Sequence, residues 1–570
     1  MLAVPAEGRL ILTTVPDDFD PAHDVALGPW CFAGVENRHP GWEDLPFADP
    51  FPTQDSWVEA DRNARRLASA LVAPWAARLN RRHSREYGLG FWRVLLLKWL
   101  AICVPPLWQR YCQVDAVIRL HGERRLRVEL CADCDRDWHI LQTAGLIESF
   151  ADPAIDFRIV SKIVSHLAPP AWVQTIVAAP PWPSQPEARS PLETMSVLRR
   201  LLGRLPVDSV PGASALHRIL LSAWVAMLPR RTARCFYRAE DEGAFALFPP
   251  VFLEILGRVL EQMLPATLRG GFSDLERYAR DFSYHPGRLL VDALDTEEDY
   301  RRVVQAMAHE KGERLVSVQH GGVYGTARAM MVGAETEYPY HAFLTWGWTA
   351  QEDYAGKFVP APSPDLSAVV GRHHERQGRL VMVGTAMLVH GIRLGWLPKP
   401  QHYLSYRRFK LDFLAGLDPV VRGAVHYRPY RRKPEVLKDE DYLRAVYPNL
   451  LLVDGNLNDA LLSCRLVVID HPVTTMLAAM AADTPTVLLW QAEAWPLSRQ
   501  AEPLFQRLRD VGILHHDPAT AAAHINKVWS NVQGWWRNSE VQAARRQFAE
   551  QYAQASRAWW WDWLKVLARL

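Results

Sequence analysis

Three short stretches of this chain carry residue types that could do chemistry together. In the first, the apolar run Leu315 to Val318 is followed at once by Gln319, His320, Gly321 and Gly322, then Tyr324 and Gly325. Imidazole exchanges a proton near neutral pH. Glycines at the end of a buried parallel strand let the backbone approach a phosphate, and the following helix offers unpaired N–H groups. Just upstream, Leu289 to Val291 runs into Asp292 and Asp295, carboxylates suited to deprotonating an acceptor hydroxyl or to acting as a nucleophile. The second stretch, His426 to Pro434, includes Arg428, Tyr430 and Arg431, and arginine forks match phosphate oxygens. The third, Asp470, His471, Pro472, Val473, Thr474 and Thr475, opens a helix with hydroxyls and free N–H groups. Each has a plainer reading: a glycine turn braced by a histidine, a solvated basic loop, an ordinary N-cap. Their coincidence at strand ends points to a phosphate-bearing ligand with an acid–base group beside it.

The elements that must position these stretches alternate between strand and helix. Gly287 to Asp295, a helix over Glu297 to His309, and Arg314 to Val318 form a βαβ unit that leads into the glycine turn. After a linker at Val359 to Gly378 the alternation restarts, with strands at Arg379 to Val383, Gly423 to Tyr427, Leu450 to Val453, Leu466 to Ile469 and Thr486 to Leu489. Two nucleotide-fold domains in tandem place a ligand in the cleft between them. Toward the N-terminus the signal is architectural: a first strand at Arg9 to Val15, helices from Trp57 to Trp108, and a hairpin over Ala116 to Leu130 turning at His121, Gly122 and Glu123. Val94 to Trp108, which contains Lys98 and ends on Pro105 and Pro106, reads as a buried helix stopped by prolines and too short to span a membrane. A proline-rich break at Ala178 to Pro191 precedes a mainly helical stretch. The C-terminal helices end in Trp559, Trp560, Trp561 and Trp563, indoles that must be buried against a domain.

Composition excludes several classes. At 570 residues the chain holds more than one core, and 65 Lys+Arg against 63 Asp+Glu leave +2, too little for a global pull onto nucleic acid or anionic membrane. Seven cysteines are no disulfide framework, and Cys131 with Cys134 has no second CxxC at zinc-ribbon spacing. The N-terminus lacks the apolar core of a secretory signal. The 23 tryptophans fit sugar stacking as well as core bulk. No Walker A loop, HExxH helix, G-x-S-x-G elbow or post-strand G-x-G-x-x-G occurs, which demotes P-loop NTPase, zincin, α/β-hydrolase and dinucleotide-dependent hydride transfer.

The ordered set LTT, LGPWCF, QHGGVYG, FLTWGW, YRPY, the Asp454-Gly455 turn, DHPVTTMLAAMAADTPTVLLW and NVQGWWRNSEVQAARRQFAEQYA resembles a family of transferases encoded in bacterial O-antigen gene clusters, over nearly the whole chain. Its C-terminal part is similar to surface-polysaccharide enzymes, UDP-N-acetylglucosamine 2-epimerases and Kdo- or sialic-acid-type transferases, of GT-B architecture. The resemblance implies an α/β, GT-B-like fold: two Rossmann-like domains facing a cleft, with a helical insertion and a C-terminal helical tail. Residues 1–370 would form the acceptor-side domain with its insertion at about 190–285, residues 371–520 the nucleotide-sugar domain, and 521–570 the tail. His471-Pro472 resembles the His-Pro motif that holds the cytidylate phosphate in CMP-sugar transferases, with Thr474 and Thr475 where hydroxyls meet it. The helix that follows, Met476 to Met480, lacks the Glu that holds ribose in many GT-B sites, so Asp454 or backbone would take that role.

Together these readings predict a glycosyltransferase of O-antigen or capsule biosynthesis. His320, Asp292 and Asp295 are its candidate catalytic groups. Gln319, Gly321, Gly322, Tyr324, Arg428, Tyr430, Arg431, Asp454, Asp470, His471, Thr474 and Thr475 are its candidate nucleotide and substrate ligands. Its partners are a nucleotide-sugar donor, expected to be a CMP-linked ulosonic acid, and a glycan or lipid-linked glycan acceptor. No metal, other cofactor, nucleic acid or transmembrane segment is expected, and the expected location is the cytoplasm, at the inner face of its membrane. A nucleotide-sugar epimerase of the same fold and a non-catalytic subunit of a polysaccharide assembly complex are the rival readings.

Overall fold

The computed structural model describes residues 8–132, 138, 140–181, 205–237, 242–281, 287–385, 387–388, 391, 394, 398–430 and 438–570. Arg431 of the basic loop, Cys134 of the CxxC pair and residues 182–191 of the proline-rich break lie outside the described residues.

The described strands form three sheets, each parallel throughout. The first, ordered β2-β1-β3-β4, contains β1 (Gly8–Ile11), β2 (Val25–Ala26), β3 (Leu126–Cys131) and β4 (Val173–Val177). The second runs in chain order through β5 (Leu289–Asp292), β6 (Arg314–Val318), β7 (Ala342–Thr345) and β8 (Phe358–Pro360). Every residue of β5, β6 and β7 is buried, as expected of parallel strands covered on both faces. The third comprises β9 (Gln377–Val383), β10 (Val425–Arg428), β11 (Leu451–Leu452), β12 (Cys464–Ile469), β13 (Thr486–Leu489) and β14 (Leu514–His515). Its order, β11-β10-β9-β12-β13-β14, is the doubly wound 3-2-1-4-5-6 arrangement. The chain reverses its winding between β9 and β12, where Val383 lies opposite Ile469, so the crevice for a ligand opens at Gly384, Thr385, Asp470 and His471.

The 33-residue helix Leu89–His121 joins the first two sheets, packing on the helices Gln54–Ala70, Pro153–Leu167 and Asp299–Glu310. It runs straight through Pro105 and Pro106, where an end is predicted, and takes in Ala116 to His121, where a hairpin is predicted. Two proline nitrogens cannot donate to the preceding turn. The apolar surface buried from Phe91 to Val117 outweighs that loss, because the helix is enclosed on all sides. Only Leu126–Cys131 is strand, with Leu126, Val128 and Leu130 inward and Arg127 and Glu129 outward, and it pairs in parallel with β1 and β4. This is also the one described helix long and apolar enough to cross a membrane, and 89% of its apolar window is buried inside the protein.

Local chemistry starts the surrounding helices. Thr53 and Ser56 cap Gln54–Ala70 reciprocally, and Asp152 and Asp517 accept from first-turn N–H groups ahead of Pro153 and Pro518. The C-terminal helix Trp559–Arg569 lays Trp559, Trp563 and Leu567 on the second sheet against Val316, Val318, Ala342 and Leu344. The predicted burial of the tail indoles thus holds for Trp559 and Trp563, whereas Trp560 and Trp561 face outward. Val359 and Pro360 of the predicted linker belong to strand β8, and Ser363 N–H donates to Gln554 O under the same tail.

Candidate functional site

The carboxyl ends of β5, β6 and β7 converge. Gln319 closes the turn after β6: its Oε1 accepts from Trp346 N–H and Trp348 Nε1–H, both at 2.8 Å, and its Nε2 donates to Gly321 O at 2.8 Å. The amide oxygen is thereby spent on binding the QHGG turn to the FLTWGW turn, so Gln319 is a brace. Tyr324 stacks on Phe343 with ring centroids 5.3 Å apart. Gly325, at φ +79°, leaves room for the Trp348 ring, which a Cβ there would strike.

His320 projects from this turn with its side chain 30% exposed. Its Nε2 lies 2.7 Å from the Tyr324 hydroxyl, 3.6 Å from Glu337 Oε1 and 3.7 Å from Asp295 Oδ2. Glu337, fully buried, accepts from Tyr324 at 2.6 Å and from Ser317 at 2.7 Å. Asp295 is held by the buried ammonium of Lys98 and by Thr336 Oγ1 at 3.3 Å. Burial alone would lower the pKa of His320, but the charges of Glu337 and Asp295 outweigh it and raise the imidazole above its ordinary value. Burial, reinforced by the same carboxylates, pushes the Tyr324 phenol well up, so it stays protonated.

The two carboxylates at the end of β5 part company. Asp295 belongs to the site. Asp292, paired with it in the sequence reading, does not: it is buried against Arg301 and accepts from Gln305 Nε2 at 2.8 Å and Ser209 N–H at 3.1 Å. Its lone pairs serve the packing of the Asp299–Glu310 helix on the sheet. Asp295, His320 and Glu337 also form the one group among the described residues able to hold a metal by proximity, with ligand atoms within 4.8 Å of one another. Lys98 and the Tyr324 hydroxyl already sit on their oxygens.

At the switch point of the third sheet, a buried polar network supports His471. His471 Nδ1 is 2.7 Å from Asp470 Oδ1, and Asp470 Oδ2 accepts from the Tyr406 hydroxyl at 2.7 Å and lies 3.1 Å from Lys410 Nζ. Lys410, 1% exposed, also pairs with Asp439 and donates to the Tyr427 hydroxyl at 2.8 Å. Burial works against the Asp470 carboxylate, but Lys410, His471 and Tyr406 outweigh it and hold its pKa below the ordinary carboxylate range. An ionised Asp470 makes Nδ1 of His471 a donor, and Nε2 keeps no hydrogen-bond partner among the described residues.

The two halves meet. A Cβ on Gly322 would lie 2.1 Å from Thr474 N, so the backbones of the QHGG turn and the helix Thr474–Ala482 touch where only glycine fits. Alongside, Ser498 N–H donates to Thr326 O and Ser498 Oγ to Gly325 O, both at 2.7 Å, while Arg328 N–H donates to Pro496 O. Gly321 faces Thr474 Oγ1 at 4.0 Å from its Cβ position. The turn that carries His320 thus meets the chain at Val473 and Thr474, three residues past Asp470 and His471, where Thr474 is exposed and Thr475 half-buried.

The basic loop is placed differently. Arg428 is buried and donates to Val453 O at 3.2 Å and Gly455 O at 2.8 Å, so its guanidinium fixes the turn after β11. Tyr430 is 47% exposed and Asp454 stands exposed on that turn. Lys98, Glu337, Tyr406, Lys410 and Asp439 are the residues that sequence reasoning missed. Of these, Lys98 had a signal, as the one charge in the apolar run from Val94 to Trp108.

No curated protein matches the chain in sequence. Among solved structures, it is similar to WaaG, a glycosyltransferase involved in lipopolysaccharide biosynthesis, over 47% of this chain and 82% of that one, at 13% identity and a TM-score of 0.26. The profile of a transferase family spans residues 9–567, and the chain belongs to that family, the LIC12162 family transferases.

Proposed function

We propose that this transferase moves a sugar from a nucleotide-activated donor to a glycan or lipid-linked glycan acceptor in the assembly of O-antigen, capsule or related surface polysaccharide. The observation that carries the reading is the contact between the turn bearing His320 and the start of the helix Thr474–Ala482, beside the switch point at Asp470 and His471. The turn that carries an acid–base group thereby meets the start of a helix whose N–H groups, hydroxyls and neighbouring imidazole suit a phosphate. The leaving nucleotide would be stabilised by His471, Thr474 and Thr475, with Asp454 or backbone holding the ribose. His320 and Asp295 would serve the acceptor hydroxyl and the transferred sugar. The His-Pro pair favours a CMP-linked ulosonic acid as donor, and the place of work is the cytoplasmic face of the membrane, where such donors and lipid-linked acceptors meet.

Thermal shift with CMP, UMP, UDP and GDP at equal concentration tests the donor. CMP should raise the melting temperature most, because a ligand that binds only the folded state stabilises it by RT ln(1 + [L]/Kd). A clear preference for UDP would move the reading to a UDP-sugar transferase or epimerase. No response to any nucleotide would sink it.

A further inference from the structure

His320 offers two ring nitrogens, and the described residues engage only one of them. The Tyr324 hydroxyl lies between His320 Nε2, at 2.7 Å, and Glu337 Oε2, at 2.6 Å. A phenol has one proton to give. Glu337 is fully buried, and its other oxygen already takes a hydrogen bond from Ser317 at 2.7 Å. Two donors converging on one buried carboxyl are the surroundings of an ionised carboxylate, which can only accept. Tyr324 therefore donates to Glu337 and accepts from the ring, which puts the ring hydrogen on Nε2. Nδ1 has no hydrogen-bond partner among the described residues, and the side chain is 30% exposed.

We infer that His320 works as a base through Nδ1, with Tyr324 and Glu337 as positioning residues that fix its tautomer and Asp295 as the second counter-charge. The inference rests on the transferase reading and names the atom that would act in it. In the transfer step the acceptor oxygen bonds to the anomeric carbon and its proton passes to Nδ1. The bond from that carbon to the nucleotide phosphate breaks, and its electron pair leaves with the phosphate. The resulting imidazolium stands 3.6 Å from Glu337 Oε1 and 3.7 Å from Asp295 Oδ2, then releases its proton to water. Lys98, bound to Asp295 and 3.2 Å from Glu297, keeps the cluster from carrying three uncompensated negative charges before the proton arrives. The raised pKa of the ring has the direction this arrangement requires.

The test is nitrogen-15 NMR of histidine-labelled full chain, with the His320 signals identified by His320→Gln. Above its titration, His320 should carry hydrogen on Nε2 and none on Nδ1. Glu337→Gln removes one of the two carboxylates and should move the titration midpoint down, which a merely structural role would not do. Tyr324→Phe, whose ring keeps its stack on Phe343, should let the Nδ1–H form appear, and it serves in place of the first variant if that one fails to fold. An Nδ1–H tautomer in the wild type, or a titration and tautomer indifferent to both substitutions, overturns the inference. Because Asp295, His320 and Glu337 stand within 4.8 Å of one another, manganese(II) is titrated as well. Selective broadening of His320 at micromolar metal would make the cluster a cation site and overturn it too. None of these readings needs a substrate, so they stand or fall separately from the nucleotide test of the transferase reading.

Discussion

Replacing Lys410 by Met strikes the support of the phosphate side without touching a proposed ligand. Lys410 is buried on the helix Tyr403–Gly416 with its ammonium on Asp439 and 3.1 Å from Asp470. Methionine keeps most of the volume of the stem and removes the charge, leaving two buried carboxylates across the space the ammonium held. Removing one partner of a buried ion pair costs about 3–5 kcal/mol. Asp439 keeps the Tyr427 hydroxyl at 2.7 Å, and Asp470 keeps Tyr406 and His471 at 2.7 Å, so the cost should fall at about 3 kcal/mol. For a cooperative unit of about 150–250 residues, at about 2–4 °C per kcal/mol, the melting temperature drops by about 6–12 °C.

The pH dependence of that loss has a defined sign. In the wild type the Asp470 carboxyl is held below its ordinary value, so its ionised form stabilises the fold above the unfolded pKa and that contribution fades as pH falls through the depressed one. Without Lys410, burial and Asp439 push the group the other way. The penalty is then complete at neutral pH and relieved on acidification, and the gap between variant and wild type should narrow from about pH 7 to about pH 5. Scanning calorimetry of both proteins across that range measures it. A variant that melts within about 2 °C of the wild type, or a gap that widens toward acid, refutes the reasoning.

Three further outcomes follow from the same geometry. Gly322→Ala drives a Cβ to 2.1 Å from Thr474 N and should cost about 1–3 kcal/mol or more through overpacking, whereas Gly321→Ala meets nothing nearer than 3.7 Å and should be tolerated; comparing their urea midpoints decides it. Arg428→Ala leaves the Val453 and Gly455 carbonyls without their donor and should lower stability by about 1–3 kcal/mol, with calorimetric nucleotide affinity tracking only the folded fraction. Trp563→Ala empties a buried site on the second sheet and should cost about 3–5 kcal/mol, while Trp561→Ala, 51% exposed, should stay within about 0.5 kcal/mol; equal effects would contradict the docking of the tail.

What the sequence made legible, and what it hid, divides along a physical line. Buried parallel strands read as apolar runs, and the polar or glycine residues right after them mark the edge where ligands bind, so β6 with His320 and β12 with Asp470 and His471 stand out from the chain alone. The direct backbone contact of Gly322 with Thr474 was not legible: the sequence suggests two edges facing each other across a cleft, and the closeness of their approach is set by packing. A buried charge, by contrast, is spelled like a surface charge. Lys98 and Asp295 are 197 residues apart, and Glu337 acquires its meaning from Tyr324 and Ser317 at 13 and 20 residues' distance. No local period relates such partners.

Asp292 and Asp295 show the limit at its narrowest. Only three positions separate them, yet the end of β5 turns one toward Arg301 and Gln305 and the other toward Lys98 and His320. A strand fixes side-chain direction by alternation, but that rule stops where the strand stops, at Asp292. The residues that do chemistry lie just past that point, on turns whose direction is set by what packs against them. For the same reason the long helix Leu89–His121 defeats a local reading: its prolines forbid it and its burial demands it, and burial, contributed by two sheets far apart in the chain, prevails. That helix also carries Lys98 to Asp295, so the element least predictable from local sequence sets the charge beside the candidate base.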